Sequence, residues 1–524
     1  MGVVTRIAGW GALAVVIPVL LLALALRHPP RADFVVGNGN EPKSLDPAEA
    51  SALPEGRVVR FLFEPLIVLD NSTLEPLPGA AASWESTADG LAWTFHLRSN
   101  GYWSDGHPVV ARDFVNAFRR LVDPATGSRA AAYLLDVTNA REIRSGKLSA
   151  DKLGIAAPSP SVLMMTLERR PADWLRTLAF PALVPVSIPA SGIPFENGKP
   201  LISNGPFRVA SRTPRDRIRL ERNSFHRDAS RWPASVDILA CDSASTLLNM
   251  FLTGDVDWVT DIPPAVIAPL SRRNDGTLRA APMSGTYFIR VNTRRRALGN
   301  RHIRAALDLS IDRRAMAAAA LPGGELPASG LVAPLTDGWR SLALRDNVAR
   351  ARELLKQGLK EEGLTELPPL EYAYNTLDLH QTIAEVLQRQ WQEALGIRVR
   401  LSRMENASLL AAVRSGDFDL ARGSWIADHL DPTTFLDVFL SDAPNNQTGF
   451  ADQDYDRAVK AAAALPPGAQ RLAALALAED RLIAASAVIP LYHYASYNLV
   501  SPRVDGFGSN PLDLHFPQGI TKGR

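Results

Sequence analysis

The most informative stretch of the chain begins with Trp93-Thr94-Phe95-His96-Leu97-Arg98 and continues, after four residues, with Trp103-Ser104-Asp105-Gly106-His107-Pro108-Val109. Apolar and polar side chains alternate in its first part, as they do in a strand with one buried face. Residues 111–122 follow with apolar side chains at helical spacing, and Asp123-Pro124 ends that helix. The stretch therefore predicts a strand and then a helix, and we interpret its tryptophan-containing second part as an element of the fold.

The same change between strand and helix patterns continues along the chain. Residues 34–37, 218–222 and 397–401 read as short strands. The clearest helix covers residues 379–395, where one apolar stripe contains Ile383, Leu387, Trp391 and Ala394. A second helix covers residues 471–485 and is followed by a strand at 488–492. This mixture predicts an α/β or α+β chain with several sheets.

Composition excludes several classes of protein. The chain has 524 residues, and its 57 Lys and Arg against 55 Asp and Glu leave a net charge of +2, without the basic excess typical of a nucleic-acid-binding protein. With 46% hydrophobic and 21% charged residues it is globular rather than disordered. The single cysteine, Cys241, excludes an internal disulfide and any cysteine-rich metal site. The length suggests roughly three domain-sized units or several interleaved lobes.

The first 33 residues differ in composition from the rest. Arg6 precedes an apolar run from Ile7 to Leu26, and Arg27 to Arg31 end it. Such a run is typical of a secretory signal peptide, and it is also long enough to span a bilayer as a helix. Both interpretations, a cleaved signal peptide and a retained membrane anchor, remain open, and both place the rest of the chain outside the cytoplasm.

Local sequence signatures of catalysis are absent. The sequence has no Gly-x-Ser-x-Gly elbow, no His-Glu-x-x-His and no phosphate-binding loop. Its nine histidines are scattered and never have the spacing of a helical metal site. We therefore expect no catalytic residue, no metal and no cofactor, and a protein that is not an enzyme.

Five ordered segments together resemble one known family, the extracytoplasmic solute-binding proteins of peptide ABC importers, and within it the oligopeptide-binding branch. The resemblance covers nearly all of the chain from residue 34 onward. The segments are Glu41-Pro42-Lys43-Ser44-Leu45-Asp46-Pro47 with residues 62–66, the stretch 93–114, Asn204-Gly205-Pro206-Phe207 with residues 220–223, residues 303–313, and Tyr374-Asn375-Thr376 through His380 to residues 425–435.

The resemblance implies a bilobal periplasmic-binding-protein fold of type II with an additional inserted domain. The first lobe is expected to be discontinuous, at residues 34–62, 185–282 and 497–524. The inserted domain then covers residues 63–184 and the second lobe residues 283–496. Each lobe is expected to contain a mixed sheet, and a hinge joins the two lobes.

The resemblance also implies a ligand site. Asp428 matches the position that binds the amino terminus of a peptide, and Arg422 matches a position that receives the ligand carboxylate. His380 matches a position near the ligand's carboxyl terminus. The remaining matches are Asn445 as a polar lining residue, Trp425 as a pocket wall, and Leu53 in a loop whose main chain can bond the ligand.

Each of these residues also has an ordinary structural interpretation. Asp428 alone could cap a turn or helix, and Arg422 could form a salt bridge between lobes. His380 could simply begin a helix, and Trp425 could belong to the core. The chain also has Ala131 and Asn406 where a family member has aromatic residues near the ends of the ligand, which predicts an enlarged or more polar cleft.

Four functions follow from these observations. The first is an extracytoplasmic receptor that captures oligopeptides between its lobes and delivers them to an ABC permease in the inner membrane. The second is a binding protein of the same fold for a modified peptide, a muropeptide or a non-peptide amine, in transport or sensing. The third is a hydrolase and the fourth a structural envelope protein. We expect a periplasmic monomer that binds no nucleic acid and contacts the membrane only through an uncleaved N-terminal helix.

Overall fold

The computed structural model describes residues 30–50, 53–171, 173–187, 200–334, 338–517 and 520–522. The predicted signal peptide or membrane anchor, residues 1–33, lies outside the described residues except for its last four. Within the ranges described, no helix is both long and apolar enough to cross a membrane.

Eleven strands form one mixed sheet that extends through both predicted lobes. Leu326–Pro327 pairs with Val488–Val500 beside the main path. The other ten strands lie in the order Val399–Met404, Leu370–Asn375, Leu420–Ile426, Leu278–Val291, Val488–Val500, Trp258–Val259, Phe34–Gly37, Ser235–Leu239, Arg217–Arg222 and Phe207–Thr213. The separate lobe sheets expected from the resemblance are therefore joined by hydrogen bonds into one.

Two long strands make this connection. Leu278–Val291 and Val488–Val500 pair antiparallel from the Leu278–Leu499 pair to the Arg290–Val488 pair. Val488–Val500 reaches one half of the sheet through Trp258–Val259, and Leu278–Val291 reaches the other half through Leu420–Ile426. Their register shifts between Pro282 and Thr286, which interrupts the ladder close to the predicted lobe boundary.

The predicted inserted segment contains a four-stranded antiparallel sheet, in the order Ala81–Ser86, Ala92–Leu97, Val162–Thr166 and Ile155–Ser159. The tryptophan-containing segment has a structural role beside it. Trp103 is buried and its Nε1 donates to Asp113 Oδ2 at 3.2 Å. Ser104 N donates to the carbonyl of Ser203 at 2.7 Å, and Ser203 N donates back to Ser104 Oγ at 3.1 Å. The segment thus ties the insert to the loop near residue 203.

The predicted helices and most of the predicted strands agree with the structure to within a few residues, but the strand predicted at residues 488–492 continues to Val500. The strongest predicted helix is Asp378–Leu395, with Ile383, Leu387 and Trp391 buried, and the second is Ala469–Ala485. The other α-helices are Leu53–Leu62, Ala111–Val122, Ala140–Arg144, Trp174–Thr177, Ala244–Thr253, Pro264–Arg273, Arg296–Gly299, Arg301–Leu309, Arg313–Ala320, Val348–Glu362, Asn406–Ser415, Thr433–Leu436 and Gln453–Ala463. Two-stranded ladders join Ile67–Leu69 with Pro76–Pro78 and Val504–Asp505 with Thr521–Lys522.

A buried ion network holds the predicted second lobe together. Asp308 and Arg313 have no exposed side-chain surface and form an ion pair, and Arg345 pairs with the same carboxylate. Arg313 also pairs with Asp346 at 2.7 Å, and its Nε donates to the Pro490 carbonyl of the long central strand at 2.9 Å. The network therefore links two helices to the sheet through fully desolvated charges.

Removing Asp308 should destabilise the fold strongly. We expect Asp308→Ala to lower the free energy of unfolding in urea by about 3–5 kcal/mol, because Arg313 then becomes a buried cation with one partner fewer. The control is Asp480→Ala, which removes the partner of Arg340 at a half-exposed site and should cost about 1 kcal/mol or less. Equal effects of the two substitutions would contradict this account of the network.

Candidate functional site

Arg422 lies in the strand Leu420–Ile426, and its guanidinium is held by tyrosines. Nη2 donates to Tyr494 Oη at 3.3 Å, and the guanidinium carbon lies 5.1 Å from the centre of the Tyr287 ring. Burial opposes the charge of Arg422, but these two tyrosines outweigh it and raise the pKa of the guanidinium. Its Nε is buried without a hydrogen-bond partner among the described residues. Arg422 is therefore a stable cation that keeps an unused donor.

A second half-buried cation, Arg290, lies on the other face of the same two strands. Nη1 of Arg290 donates to the main-chain carbonyl of Arg422 at 3.2 Å, and its guanidinium carbon lies 5.0 Å from the centre of the Phe288 ring. Burial, and then the charge of Arg422, lower the pKa of Arg290 to about 10. Neither guanidinium forms an ion pair with a carboxylate of the described ranges. Because Ile289, and not Arg290, pairs with Arg422, the two guanidinium groups lie on opposite faces of the sheet, and Arg290 packs over Gly423. Arg422 alone is therefore suited to meet an anion on the face that carries Tyr287.

His380 places a neutral imidazole, which can donate or accept a hydrogen bond, close to Arg422 and Tyr287. It lies in the first turn of the helix Asp378–Leu395, and its ring centre is 5.5 Å from that of Tyr287. Burial, and then the charge of Arg422, lower the pKa of His380 to about 4, so the imidazole is neutral at neutral pH. Its Nδ1 is buried without a partner in the part of the chain that the structure describes. The predicted residues Arg422 and His380 thus lie together, with Tyr287 between them.

The tyrosines around Arg422 were not predicted from the sequence. Tyr287 stacks on Tyr492 with ring centres 5.0 Å apart, and Tyr494 lies 5.3 Å from Tyr492. The rings come from the two long strands, which pair Tyr287 with Tyr492. In the sequence they are visible only as aromatic residues within strand patterns, because nothing local shows that they face an arginine that is 72 residues from Tyr494 and still further from Tyr287.

Asp428 lies two residues after the same strand. Its N–H donates to Thr434 Oγ1 at 3.1 Å, which fixes the loop, and its carboxylate is accessible to solvent. Tyr133 Oη donates to Asp428 Oδ1 at 3.5 Å from the predicted inserted segment. Surrounding protein atoms raise the pKa of Asp428, and the hydrogen bond from Tyr133 opposes the rise. Asp428 is therefore a partly desolvated carboxylate between two parts of the chain.

Tyr133 also bears on the predicted loss of aromatic residues. Ala131 is only 2% exposed and lines no open surface, whereas the ring of Tyr133, two residues further on, lies at Asp428 and 4.1 Å from the ring centre of Phe180. At this end of the site the structure thus supplies an aromatic ring that the sequence comparison missed. Asn406 is exposed and begins the helix Asn406–Ser415.

The other predicted residues are more loosely connected to this site. Trp425 is half-buried against the main core, and its Nε1 has no partner among the described residues. Asn445 is exposed in a loop, and no described hydrogen bond links its side chain to Arg422 or Asp428. Leu53 is 60% exposed and begins the helix Leu53–Leu62 instead of lying in a loop, so its main-chain N–H belongs to a helix N-terminus.

The strand between the two charged groups has one open edge. Residues Gly285 to Val291 pair with one side of Leu420–Ile426 along its whole length. On the other side the described ladder pairs only Leu420 and Ala421, with Tyr372 and Ala373. Main-chain groups of Gly423–Ile426 therefore remain available to a further strand. The site combines a cationic end at Arg422, an open strand edge and a carboxylate at the other end.

The chain is similar to known proteins over most of its length. Residues 75–447 match the model of the bacterial extracellular solute-binding proteins, family 5. The chain is 33% identical to the periplasmic oligopeptide-binding protein of Salmonella typhimurium, over 92% of this chain and 90% of that protein. It is 32% identical to the periplasmic murein peptide-binding protein of Escherichia coli, over 91% of this chain and 90% of that protein.

Solved structures give the same result. The murein tripeptide-binding protein of Escherichia coli superposes with a TM-score of 0.79 at 30% identity, over 95% of this chain and 99% of that chain. The oligopeptide-binding protein of Haemophilus influenzae, in complex with the peptide RPPGFSPFR, has a TM-score of 0.79 at 31% identity, over 95% and 100% of the two chains. The predicted bilobal α/β fold is confirmed, and the chain belongs to family 5 of the bacterial extracellular solute-binding proteins.

Proposed function

We propose that this protein captures oligopeptides with a free amino terminus and a free carboxylate, and that it delivers them to an ABC permease. In this proposal it acts outside the cytoplasm as a binding protein and not as an enzyme. Its N-terminal segment directs it there, either as a cleaved signal peptide or as a retained anchor. It works as a monomer and needs no metal or cofactor.

The observation that carries the proposal is the unneutralised guanidinium of Arg422 beside Tyr287 and His380. A half-buried guanidinium without a carboxylate partner among the described residues is stabilised when a ligand supplies one. The unused Nε of Arg422 and the neutral ring of His380 offer hydrogen bonds to such a carboxylate. A peptide's carboxyl terminus has the required charge, and charge-assisted hydrogen bonds contribute about 1.5–3 kcal/mol each.

In this proposal the open strand edge binds the main chain of the peptide, and Asp428 binds its ammonium group. Four residues of an extended strand span about 13 Å, so Gly423–Ile426 can pair with about four residues of an extended peptide. Main-chain pairing of this kind is independent of the ligand's sequence. Asp428 then receives the ammonium group, which stabilises a carboxylate that is otherwise partly desolvated.

Closure of two lobes on the ligand completes the mechanism. We place the first lobe at residues 34–62, 185–282 and 497–524, the insert at 63–184 and the second lobe at 283–496. The register shift between Pro282 and Thr286 gives the long strands an irregular, more easily deformed point near that boundary. A ligand that contacts Tyr133 on one side and Asp428 on the other favours the closed arrangement, because it binds that arrangement better.

The relatives bind different ligands, and the site helps to choose among them. Proteins named as oligopeptide-binding, murein peptide-binding and deoxycholate-binding are 33%, 32% and 32% identical to this chain. A ligand with only an anionic group leaves Asp428 unpaired, whereas a peptide zwitterion satisfies both ends. Modified peptides and muropeptides that keep a free amine are therefore the second candidate, and an anionic sterol is not supported.

The substitution Asp428→Asn should weaken the binding of peptides that have a free amino terminus. We expect its affinity for trialanine to fall about tenfold to a hundredfold in titration calorimetry, because a charge-assisted hydrogen bond is lost. N-acetyl-trialanine should bind wild type and variant equally. The control is Asp505→Asn, an exposed aspartate in the C-terminal ladder. An unchanged affinity in Asp428→Asn would remove Asp428 from the site.

The substitution Arg422→Gln should weaken the binding of peptides that have a free carboxylate. We expect a loss of about tenfold to a hundredfold for trialanine and little change for its carboxyl-terminal amide, because only the former carries the charge that Arg422 meets. Arg414→Gln changes an exposed arginine of the helix Asn406–Ser415 and serves as the matched control. Equal losses for acid and amide would contradict the role of Arg422.

Peptide affinity should also fall on acidification. Because the pKa of Asp428 lies above the ordinary aspartate value, its carboxylate becomes protonated at a higher pH than an exposed one. The affinity for trialanine should therefore be highest near pH 7 and decrease as the pH falls through that pKa, while the peptide's own ammonium, with a pKa of about 8, stays charged. In calorimetry from pH 7.5 to about 4.5 the decrease should be smaller in Asp428→Asn. Identical pH profiles would assign the titration to another group.

A further inference from the structure

The long strand Val488–Val500 has a gap along one of its edges. Leu326–Pro327 pairs with the first half of this edge and Trp258–Val259 with its end. Between them, the described ladders give residues 494–498 no partner on this edge. The opposite edge is irregular at the same level, because the ladder with the other long strand shifts its register there. The strand is therefore least constrained close to the predicted lobe boundary.

A glycine loop of the predicted second lobe lies beside this gap. Gly323 and Gly324 have φ angles of 109° and 105°, which residues with a side chain rarely adopt. Gly323 N donates to Glu325 Oε2 at 3.2 Å, which fixes the turn. A Cβ atom on Gly324 would lie only 3.1 Å from Tyr497 Oη. The two glycines therefore allow the loop to approach the ring of Tyr497 closely.

The hydroxyl of Tyr497 forms a hydrogen bond with this loop. It donates to the main-chain carbonyl of Gly323. Burial, and then the charge of Glu325, raise the pKa of Tyr497, so the hydroxyl keeps its proton and remains a donor. Burial also raises the pKa of Glu325, while hydrogen bonds from its own main chain, Tyr497 and Gly323 oppose the rise. The three residues thus form one hydrogen-bonded contact.

This contact joins the cores of the two predicted lobes. Tyr497 packs against an apolar cluster of the first lobe that contains Val35 and Leu247. The glycine loop follows Leu321, which packs against a cluster of the second lobe that contains Ile383. Because each partner is fixed to a different core, rotation of one lobe against the other changes the distance between the hydroxyl and the carbonyl.

The same structure brings the two lobes together across the proposed site. Arg120 of the predicted insert donates from Nη1 to Asp46 Oδ1 of the first lobe at 2.9 Å, so the insert is tied to that lobe. Tyr133 of the insert donates to Asp428 of the second lobe at 3.5 Å. The contact of Tyr497 with the glycine loop therefore exists in an arrangement in which the two sides of the cleft meet.

We propose that the hydrogen bond from Tyr497 to Gly323 is a latch between the lobes, which stabilises the closed arrangement and sets the affinity for peptides without touching them. The inference rests on the proposed function, since it needs lobes that close on a peptide. When the lobes rotate apart, water replaces each partner of the bond. The apparent affinity then scales with the population of the closed arrangement, whatever the side chains of the peptide are.

Loss of one hydroxyl tests the latch. In Tyr497→Phe we expect the affinities for trialanine, tetra-alanine and trileucine to fall by the same factor, about twofold to tenfold, in titration calorimetry. The loss should appear in the dissociation rate, measured by stopped-flow tryptophan fluorescence, because the peptide leaves only after the latch opens. Glu325→Ala removes the acceptor that fixes the turn and should act in the same direction.

A matched control removes a hydroxyl that bonds a carbonyl within one lobe. Ser203 Oγ donates to the carbonyl of Phe207 at 2.9 Å, and both residues lie in the predicted first lobe. Ser203→Ala should lower the free energy of unfolding and leave peptide affinity and the dissociation rate unchanged. An unchanged or higher affinity in Tyr497→Phe, or a loss that differs among the three peptides, overturns the latch and leaves the proposed function intact. Failure of the wild type to bind any of the three overturns both.

Discussion

The antiparallel pairing of Leu278–Val291 with Val488–Val500 is the constraint on which the rest of the structure depends. These two strands are the only link in the main sheet path between its two halves, as far as the described residues show. They also carry Tyr287, Tyr492 and Tyr494, the rings that surround Arg422. One register therefore fixes both the connection between the lobes and the position of the anion-binding group. Because a shift by one residue would turn every side chain to the opposite face, the ladder specifies the site as strictly as the fold.

The environment of Arg422 shows how a buried charge can be kept available. A carboxylate partner would stabilise the guanidinium fully, but it would also compete with a ligand. Instead, the guanidinium lies over the ring of Tyr287 and donates one hydrogen bond to Tyr494. These contacts are weaker than a two-point ion pair. The contrast with Arg313 is direct, since that arginine is fully buried, pairs with two carboxylates and has a purely structural role. The two arginines differ in function because they differ in partners.

Local patterns in the sequence predict the elements well and their partners poorly. The helix Asp378–Leu395 has a continuous apolar stripe, so its limits could be predicted to within one residue. The joining of the two lobe sheets into one could not be predicted, because alternation of apolar and polar residues identifies a strand but does not identify the strand it pairs with. Asp428, Arg422 and His380 came from the family resemblance, and the structure brings Arg422 and His380 together. Tyr133 was missed, since it is separated from Asp428 by 295 residues and no local feature marks it.

In the proposed site, selectivity comes from the spacing of two opposite charges, one in a strand and one just beyond its end. Arg422 lies in a strand whose far edge is open, and Asp428 lies two residues beyond the end of that strand, so most of their separation is set by the rise of a β-strand. A ligand must therefore carry opposite charges at a suitable distance and must be able to lie extended between them. Side chains of that ligand point away from the strand edge, and they meet the surrounding cavity walls rather than the paired main chain. Recognition of the peptide backbone and selection among side chains thus act on different atoms, which allows relatives of one fold to differ in ligand while they keep the same central strand.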